Sequence, residues 1–362
     1  MNSRRLAFVA GLKALKKPGA KDVNKLSGKG GSIGAIRPSL YNRRGMPETN
    51  QIIQGDSIKI LNDGPEGWVD LVFADPPFNI GYLYHGYEDT LKTEDYLKFS
   101  TDWMKAVHRA LKPNGSFYLA IGDAYAADLC VIARRELGFH MRNWIIWHYT
   151  FGQQPRNRFA GSHTHIFYFA KNPKDFTFNF DAVRVASARQ TTYKDSRANP
   201  KGKLPDDTWY LRPQEADGMF GAGQDTWNVS RVCGTFKERE GWHGCQMPIA
   251  VLNRIIQASS NPGDIVLDPF NGSGTTTVAA ALLGRQYVGI DQSEEYVGYA
   301  RKRLEHALEQ AAAVKAAAPD SLFQMEKTIA AANNPARKSK VRTETDAFGR
   351  PRVARRRAAK TA

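Results

Sequence analysis

The chain has 362 residues, a formal charge of +15, 42% apolar residues and three cysteines. Cys130, Cys233 and Cys245 are too scattered for a disulfide framework or a CxxC zinc site, and they fit a reducing cytoplasm. No apolar run reaches the roughly eighteen residues of a membrane helix, so no membrane partner is expected, and the length suits one large α/β domain with an insert.

The basicity sits at the two ends. Residues 1–47 hold eleven Lys/Arg against Asp22 alone, and residues 320–362 hold eleven against four acids, which leaves a net −2 for residues 48–319. Both ends lack a sustained apolar period. They predict poorly ordered tails suited to loose, salt-sensitive contact with phosphates. Arg4 and Arg5 would also suit an organelle transit peptide. Gly349-Arg350-Pro351-Arg352 resembles the core of an AT-hook, which lays Arg in a narrow minor groove.

After the first tail, Gln54-Gly55-Asp56 leads into Ser57, a candidate N-cap of a short helix; Asp56 itself suits a cap, a turn or a ligand contact. Trp68–Ala74 is an apolar run that reads as a buried strand. It ends in Asp75-Pro76-Pro77-Phe78, so a carboxylate, two prolines and a ring stand at a strand's C-terminal edge, where open α/β sheets bind ligands. Two prolines fix φ and remove two N–H donors, leaving neighbouring carbonyls rigid and able to accept. Such a corner is a receptor for a planar group bearing an NH2.

Glu94–Leu111 predicts a helix with Tyr96, Leu97, Trp103, Met104 and Val107 on its apolar face, stopped by Lys112-Pro113-Asn114-Gly115. Ser116–Ile121 reads as a strand, Ala124–Leu137 as a helix, and Met141–Tyr149 with His165–Ala170 as an antiparallel pair around the loop 152–162. His163 and His165 alternate and share one strand face. With His243 and Cys245 they could complete a metal site, but zinc spacing is absent and no metal is assigned. Residues 174–240 are polar, with scattered aromatics and basic residues such as Arg184, Arg189, Arg197 and Trp209, able to read base edges. Ile249–Ile256 is an amphipathic helix.

Gly263–Asp268 reads as a strand, Pro269–Gly274 as a glycine-rich turn, and the following residues as a helix that Thr275 is placed to cap. The next strand, Gln286–Ile290, ends in Asp291. An acid some twenty residues beyond a glycine turn is the usual ribose-hydroxyl ligand of nucleoside-binding α/β units. Ser293 caps the last long helix, with Glu294 and Glu295 at its positive end.

Asp75-Pro76-Pro77-Phe78 and the turn Phe270-Asn271-Gly272-Ser273-Gly274 together resemble the motifs of the β-class S-adenosylmethionine-dependent DNA amino-methyltransferases. The catalytic motif precedes the cofactor motif, as in that class's circular permutation, and permutation is cheap because strand pairing does not depend on chain order. His243-Gly244-Cys245-Gln246-Met247-Pro248 resembles the family's H-P-T-Q-K-P segment and departs from it at Gly244, Cys245 and Met247; the absent lysine puts in doubt an ionic contact to the cofactor's carboxylate.

The resemblance implies an α/β, doubly wound, circularly permuted Rossmann-like methyltransferase sheet with a small target-recognition insert. Its implied division is a basic tail (1–47), a catalytic half (48–173), the insert (174–240), a cofactor half (241–312) and a second basic tail (313–362). It implies S-adenosylmethionine held by Asp56, Gln246, Asp268, Phe270, Gly272, Gly274, Thr275 and Asp291, and catalysis by Asp75, Pro76, Pro77 and Phe78. The implied partner is double-stranded DNA in the cytoplasm, with a homodimer left open. A leading Asp in the catalytic motif goes with adenine N6 rather than cytosine N4. The other readings are an RNA or protein-amide acceptor and a DNA-binding protein that keeps the fold without catalysis. Nothing resembles a nuclease motif, which favours a stand-alone modification enzyme.

Overall fold

The computed structural model describes residues 41, 45, 48–81, 83–84, 87–149, 156–209 and 246–317. Apart from residues 41, 45 and 313–317, both basic tails lie outside the described residues, as do His243, Cys245 and the insert beyond residue 209, and with them the expectations placed there.

In chain order the elements are β1 (Gln51–Gln54), α1 (Ser57–Asp63), β2 (Val69–Ala74), a small hairpin of β3 (Leu83–Tyr84) and β4 (Tyr87–Glu88), α2 (Thr93–Ala110) and β5 (Leu111–Ile121). There follow α3 (Ala126–Val131), β6 (His140–His148), β7 (His163–Ala170), α4 (Ala188–Thr191) and β8 (Thr208–Trp209). The last are α5 (Ile249–Ser259), β9 (Ile265–Asp268), α6 (Thr275–Leu282), β10 (Gln286–Asp291) and α7 (Glu294–Ala317).

Among the described residues eight strands form one sheet in the order β1-β10-β9-β2-β5-β7-β6-β8. From β1 to β5 every pair is parallel, and β7 runs antiparallel to both β5 and β6. This is the doubly wound α/β sheet with an antiparallel extension that the sequence predicts. The permutation shows as interleaving: β10 and β9, late in the chain, lie between β1 and β2.

Both faces of the sheet are covered, which is why its strands read as continuous apolar runs rather than alternating ones. Val72, Ala74, Phe117 and Leu119 point to one side, against Trp103 and Val107 of α2 and Leu129 of α3. Leu71, Phe73, Tyr118 and Ala120 point to the other, against Leu252, Ile255 and Ile256 of α5 and Ala279 of α6. Val297, Ala300 and Leu304 of α7 cover Ile52 and Val278.

Three local expectations need correction. Lys112-Pro113-Asn114-Gly115 does not separate helix from strand; it lies inside β5, where the register jumps from Val69↔Leu111 to Leu71↔Ser116. The irregularity absorbs Pro113, which cannot serve a central ladder, and a Cβ at Gly115 would meet the Asp70 carbonyl oxygen at 3.2 Å. The cap of α1 is Asp56 rather than Ser57: its Oδ1 accepts the Ile58 N–H at 2.9 Å and the Lys59 N–H at 3.4 Å. The cap of α6 is Gly274, at φ +76°, rather than Thr275.

One carboxylate joins three strands. Asp70 of β2 accepts the Lys112 ammonium on both oxygens at 2.8 Å and the Ile265 N–H of β9 at 2.9 Å. Replacing Asp70 by Ala orphans both donors, a loss of about 1–3 kcal/mol. Urea unfolding of Asp70→Ala should therefore show a lower midpoint at unchanged slope.

Candidate active site

The five parallel strands present their C-terminal tips in a row, and each tip leads into an aspartate. In lateral order these are Asp56 after β1, Asp291 on β10, Asp268 on β9, Asp75 after β2 and Asp123 after β5. Adjacent strands lie about 5 Å apart. The glycine turn and the Asp75-Pro76-Pro77-Phe78 loop thus leave neighbouring strands, β9 and β2, at the same end of the sheet.

The Asp75-Pro76-Pro77-Phe78 loop is held from below. The buried Tyr96 of α2 donates its hydroxyl to the Pro77 carbonyl at 2.7 Å. No donor among the described residues reaches the Pro76 carbonyl. Phe78 lies against Gly122 at the end of β5; a Cβ there would come within 3.1 Å of the ring.

Beyond Phe78 the chain turns through Asn79 at φ +57°. The buried Asp89 accepts the Asn79 N–H at 2.7 Å and the Ile80 N–H at 3.0 Å. The Asn79 amide bonds both backbone groups of Leu91 and reaches the Tyr125 hydroxyl at 2.9 Å. Sequence reasoning missed Tyr96, Asp89 and Asn79 as supports of this loop. The one available signal was an Asn directly after the motif, since Asn tolerates positive φ.

The glycine-rich turn is built on one buried carboxylate, Asp268, and one half-buried one, Asp291. Asp268 accepts the Phe270 N–H at 3.0 Å and the Thr276 hydroxyl at 2.6 Å. Burial, with the nearby Asp291 charge adding to it, pushes the Asp268 carboxyl up to about 7. Asp291 accepts the Gly272 N–H at 2.8 Å and the Ser293 N–H at 2.9 Å, and burial raises it too. A carboxylate offers about four lone-pair sites, so Asp291 keeps acceptor capacity for a ribose diol.

Gly272 and Gly274 both have positive φ, at +45° and +76°. At Gly274 a Cβ would also meet that of Ala300 at 2.9 Å, so this glycine lets α7 approach the turn. The Thr275 hydroxyl donates to the Met247 carbonyl at 3.1 Å and accepts from Arg303 at 2.8 Å, tying the turn to the buried Gln246-Met247 segment. The Phe270 ring meets Trp103 and Phe99 of α2 edge-on, at centroid distances of 5.2 and 6.3 Å. It therefore couples the turn to the helix that carries Tyr96.

At the far side of the row, Asp123 Oδ1 lies 3.0 Å from His163 Nε2 and 2.9 Å from His165 Nε2. The ligand-type atoms of the three residues lie within 4.8 Å of one another, close enough for a metal ion. The proton inventory argues for hydrogen bonds instead. Trp144 Nε1 donates to His165 Nδ1 at 2.8 Å. An indole only donates, so the His165 proton belongs on Nε2, aimed at Asp123. Ligation through Nε2 would put a proton on Nδ1, facing the Trp144 N–H. Burial holds His165 below its ordinary pKa, against the opposing pull of Asp123, which agrees with a neutral ring.

Residues 69–302 match a family described as DNA methylase. The chain belongs to that family. It is a DNA methyltransferase, with S-adenosylmethionine as methyl donor. The type II methyltransferase M.HpaI of Haemophilus parainfluenzae is 36% identical over 255 residues, covering 70% of this chain and 74% of that protein. The DNA adenine methyltransferase YhdJ of Escherichia coli K12 is 35% identical over 263 residues, covering 72% of this chain and 84% of that one. The solved PvuII DNA methyltransferase (cytosine-N4-specific) shares the fold at a TM-score of 0.51 and 17% identity, over 73% of this chain and 93% of that one. No helix among the described residues is long and apolar enough to cross a membrane.

Asp268 gives the site a pH signature. Its folded pKa, about 7, lies above the ordinary carboxylate value of about 4. The unfolded chain ionises first, so this residue takes stability away progressively as pH rises from about 4 to about 7, and by its full amount above that. Thermal unfolding of the unliganded protein should show Asp268→Asn gaining on the parent chain more at pH 8 than at pH 5.

Proposed function

We propose that this chain methylates the N6 amine of adenine in double-stranded DNA, with Asp75 and the Pro76 carbonyl as the amine's receptors. The observation that carries this reading is the adjacency of the β2 and β9 tips, with the Pro76 carbonyl unengaged beside the glycine turn.

The electrophile needs no activation by the protein: bound S-adenosylmethionine supplies a methyl group on a sulfonium, which leaves as a neutral thioether. Asp291 would hold the ribose, with the backbone of Gly272 and Gly274 and the buried Gln246 lining the cofactor and Asp56 further along the edge. The difficulty lies in the acceptor, whose nitrogen lone pair is delocalised into the base. Asp75 and the Pro76 carbonyl accept its two hydrogens and draw the nitrogen toward tetrahedral geometry. As the N–C bond forms, the nitrogen gains positive charge and releases one proton to the Asp75 carboxylate, from which it passes to water.

Charge-assisted hydrogen bonds contribute about 1.5–3 kcal/mol, whereas holding two reactants in line can supply about 7–11 kcal/mol. The clamp of Tyr96, Asp89 and Asn79 on the catalytic loop therefore matters as much as the carboxylate. The target base must leave the duplex, at a cost of a few kcal/mol. Phe78 would stack on it and offset about 1–3 kcal/mol of that.

Adenine is favoured over cytosine by the leading Asp of the motif and by the similarity to a relative named as a DNA adenine methyltransferase. The insert supports duplex binding. Arg189 and Arg197 are exposed and share the half-buried Asp195, whereas Arg184 is half-buried between Asp181 and the Gly202 carbonyl. Exposed pairs are worth about 0–1 kcal/mol, so Arg189 and Arg197 are the two that phosphates could draw away at small cost.

Two outcomes are expected. Digestion of methylated DNA to nucleosides should yield N6-methyladenine, and N4-methylcytosine in its place would transfer the reading to cytosine. Asp75→Ala should lower methylation by roughly 100-fold or more while cofactor binding persists. Unchanged methylation in that variant would favour a DNA-binding role without catalysis at this site.

A further inference from the structure

We propose that Phe159 is a wedge that enters the DNA duplex where the target base leaves it, with Arg156 and Arg158 seating the flanking phosphates. This deepens the methylation reading and rests on it.

The loop containing Phe159 rises from the catalytic edge. The tip of β5 lies across from the start of β7, Ile121 facing His165, and the end of β6 lies across from the same place, His148 facing His163. The connection between β6 and β7 therefore emerges at the end of the sheet that carries Asp75 and Asp123. Its neck is closed by the Tyr149 N–H on the Ser162 carbonyl at 2.8 Å and the Tyr149 hydroxyl on the His163 carbonyl at 3.0 Å. His163 and His165, at the foot, are bonded to Asp123. Asp123 directly follows Gly122, against which the Phe78 ring rests. A rigid path thus joins the loop's foot to the wall of the base pocket.

Above that foot, the loop exposes an apolar ring next to charges. Phe159 is 99% exposed, the most exposed large apolar side chain among the described residues. A single exposed apolar residue is ordinary; its setting is not. Arg156 and Arg158 are exposed beside it, and no acid among the described residues pairs with either, in contrast to Arg184, Arg189 and Arg197 of the insert. An apolar side chain beside arginines that no acid pairs is the composition that proteins insert between base steps, the ring replacing lost stacking and the cations holding the backbone. Flipping a base opens such a gap, and a ring that fills it stabilises the extruded state without touching the reacting atoms.

The test compares two duplexes carrying the chain's own methylation site, located by modified-base sequencing of DNA from cells that express it. In one the target base is paired; in the other it faces an abasic position, so that extrusion is already cheap. Phe159→Ala should lose about tenfold or more in kcat/KM on the paired duplex, the scale of one base–aromatic stack, and regain most of it opposite the abasic position. Phe159→Leu, which keeps an apolar wedge, should retain most of the activity on both. Full activity of Phe159→Ala on the paired duplex overturns the wedge, and so does an equal loss on both duplexes. A parent chain that methylates neither duplex defeats the methylation reading and the wedge with it, whereas an active parent with an indifferent Phe159→Ala defeats the wedge alone.

Discussion

The site depends on a very short contact, the parallel pairing of β2 with β9 through Leu71↔Val266 and Val72↔Leu267. Side chains on a strand alternate between faces, so a slip of one residue would send Phe73 toward α2 and Val72 toward α5, the wrong core on each side. The two apolar layers therefore fix the register. Asp70 lengthens the contact by taking the Ile265 N–H and, through Lys112, the irregular start of β5. With register set, the end of one strand releases Asp75 and the end of the next releases the glycine turn, a strand spacing apart.

The row of strand-tip aspartates has an electrostatic logic. A negatively charged edge favours a sulfonium and opposes a phosphate backbone. The protein moderates this field residue by residue. Asp268 is buried and stays protonated to about neutral pH. Asp291 is spent partly on backbone amides, Asp56 on a helix cap, and Asp123 on two imidazoles. Asp75 is the one assigned to a base amine in the proposed reaction. The basic character of the chain is kept out of the core, which carries −2 between residues 48 and 319.

How far the sequence could be read follows from whether the relevant forces are local. The strand, turn and helix at 263–283 are legible because apolar runs and glycines occur in sequence order, and the same holds for the strand before Asp75. The antiparallel pair of β6 and β7 is legible from two apolar runs around a polar loop. The start of β5 was not, because Pro113 and Gly115 read as terminators, whereas a register jump in the sheet accommodates them. Thr275 read as a cap because its hydroxyl suits one, but Gly274 takes the left-handed position and the hydroxyl turns to Met247. The supports of the catalytic loop were invisible because Asp89, Leu91, Tyr96 and Tyr125 come from a hairpin, a helix and a turn that only tertiary folding brings together. The Asp123–His163–His165 cluster was half legible: the shared face of the histidines was plain, but their partner had to come from another strand.

The interleaving of β1 bears on how the chain acquires its shape during synthesis. Among the described strands β1 pairs only with β10, Gln51 beside Val288, so the first of them in chain order waits for the last. Closing so long a loop is entropically unfavourable and slow. Until β10 slots in, β1 and β9 each expose an open edge able to recruit foreign strands. β10 must therefore be synthesised before the glycine turn gains its floor, and nascent chains truncated ahead of β10 would be prone to aggregate rather than to bind nucleoside.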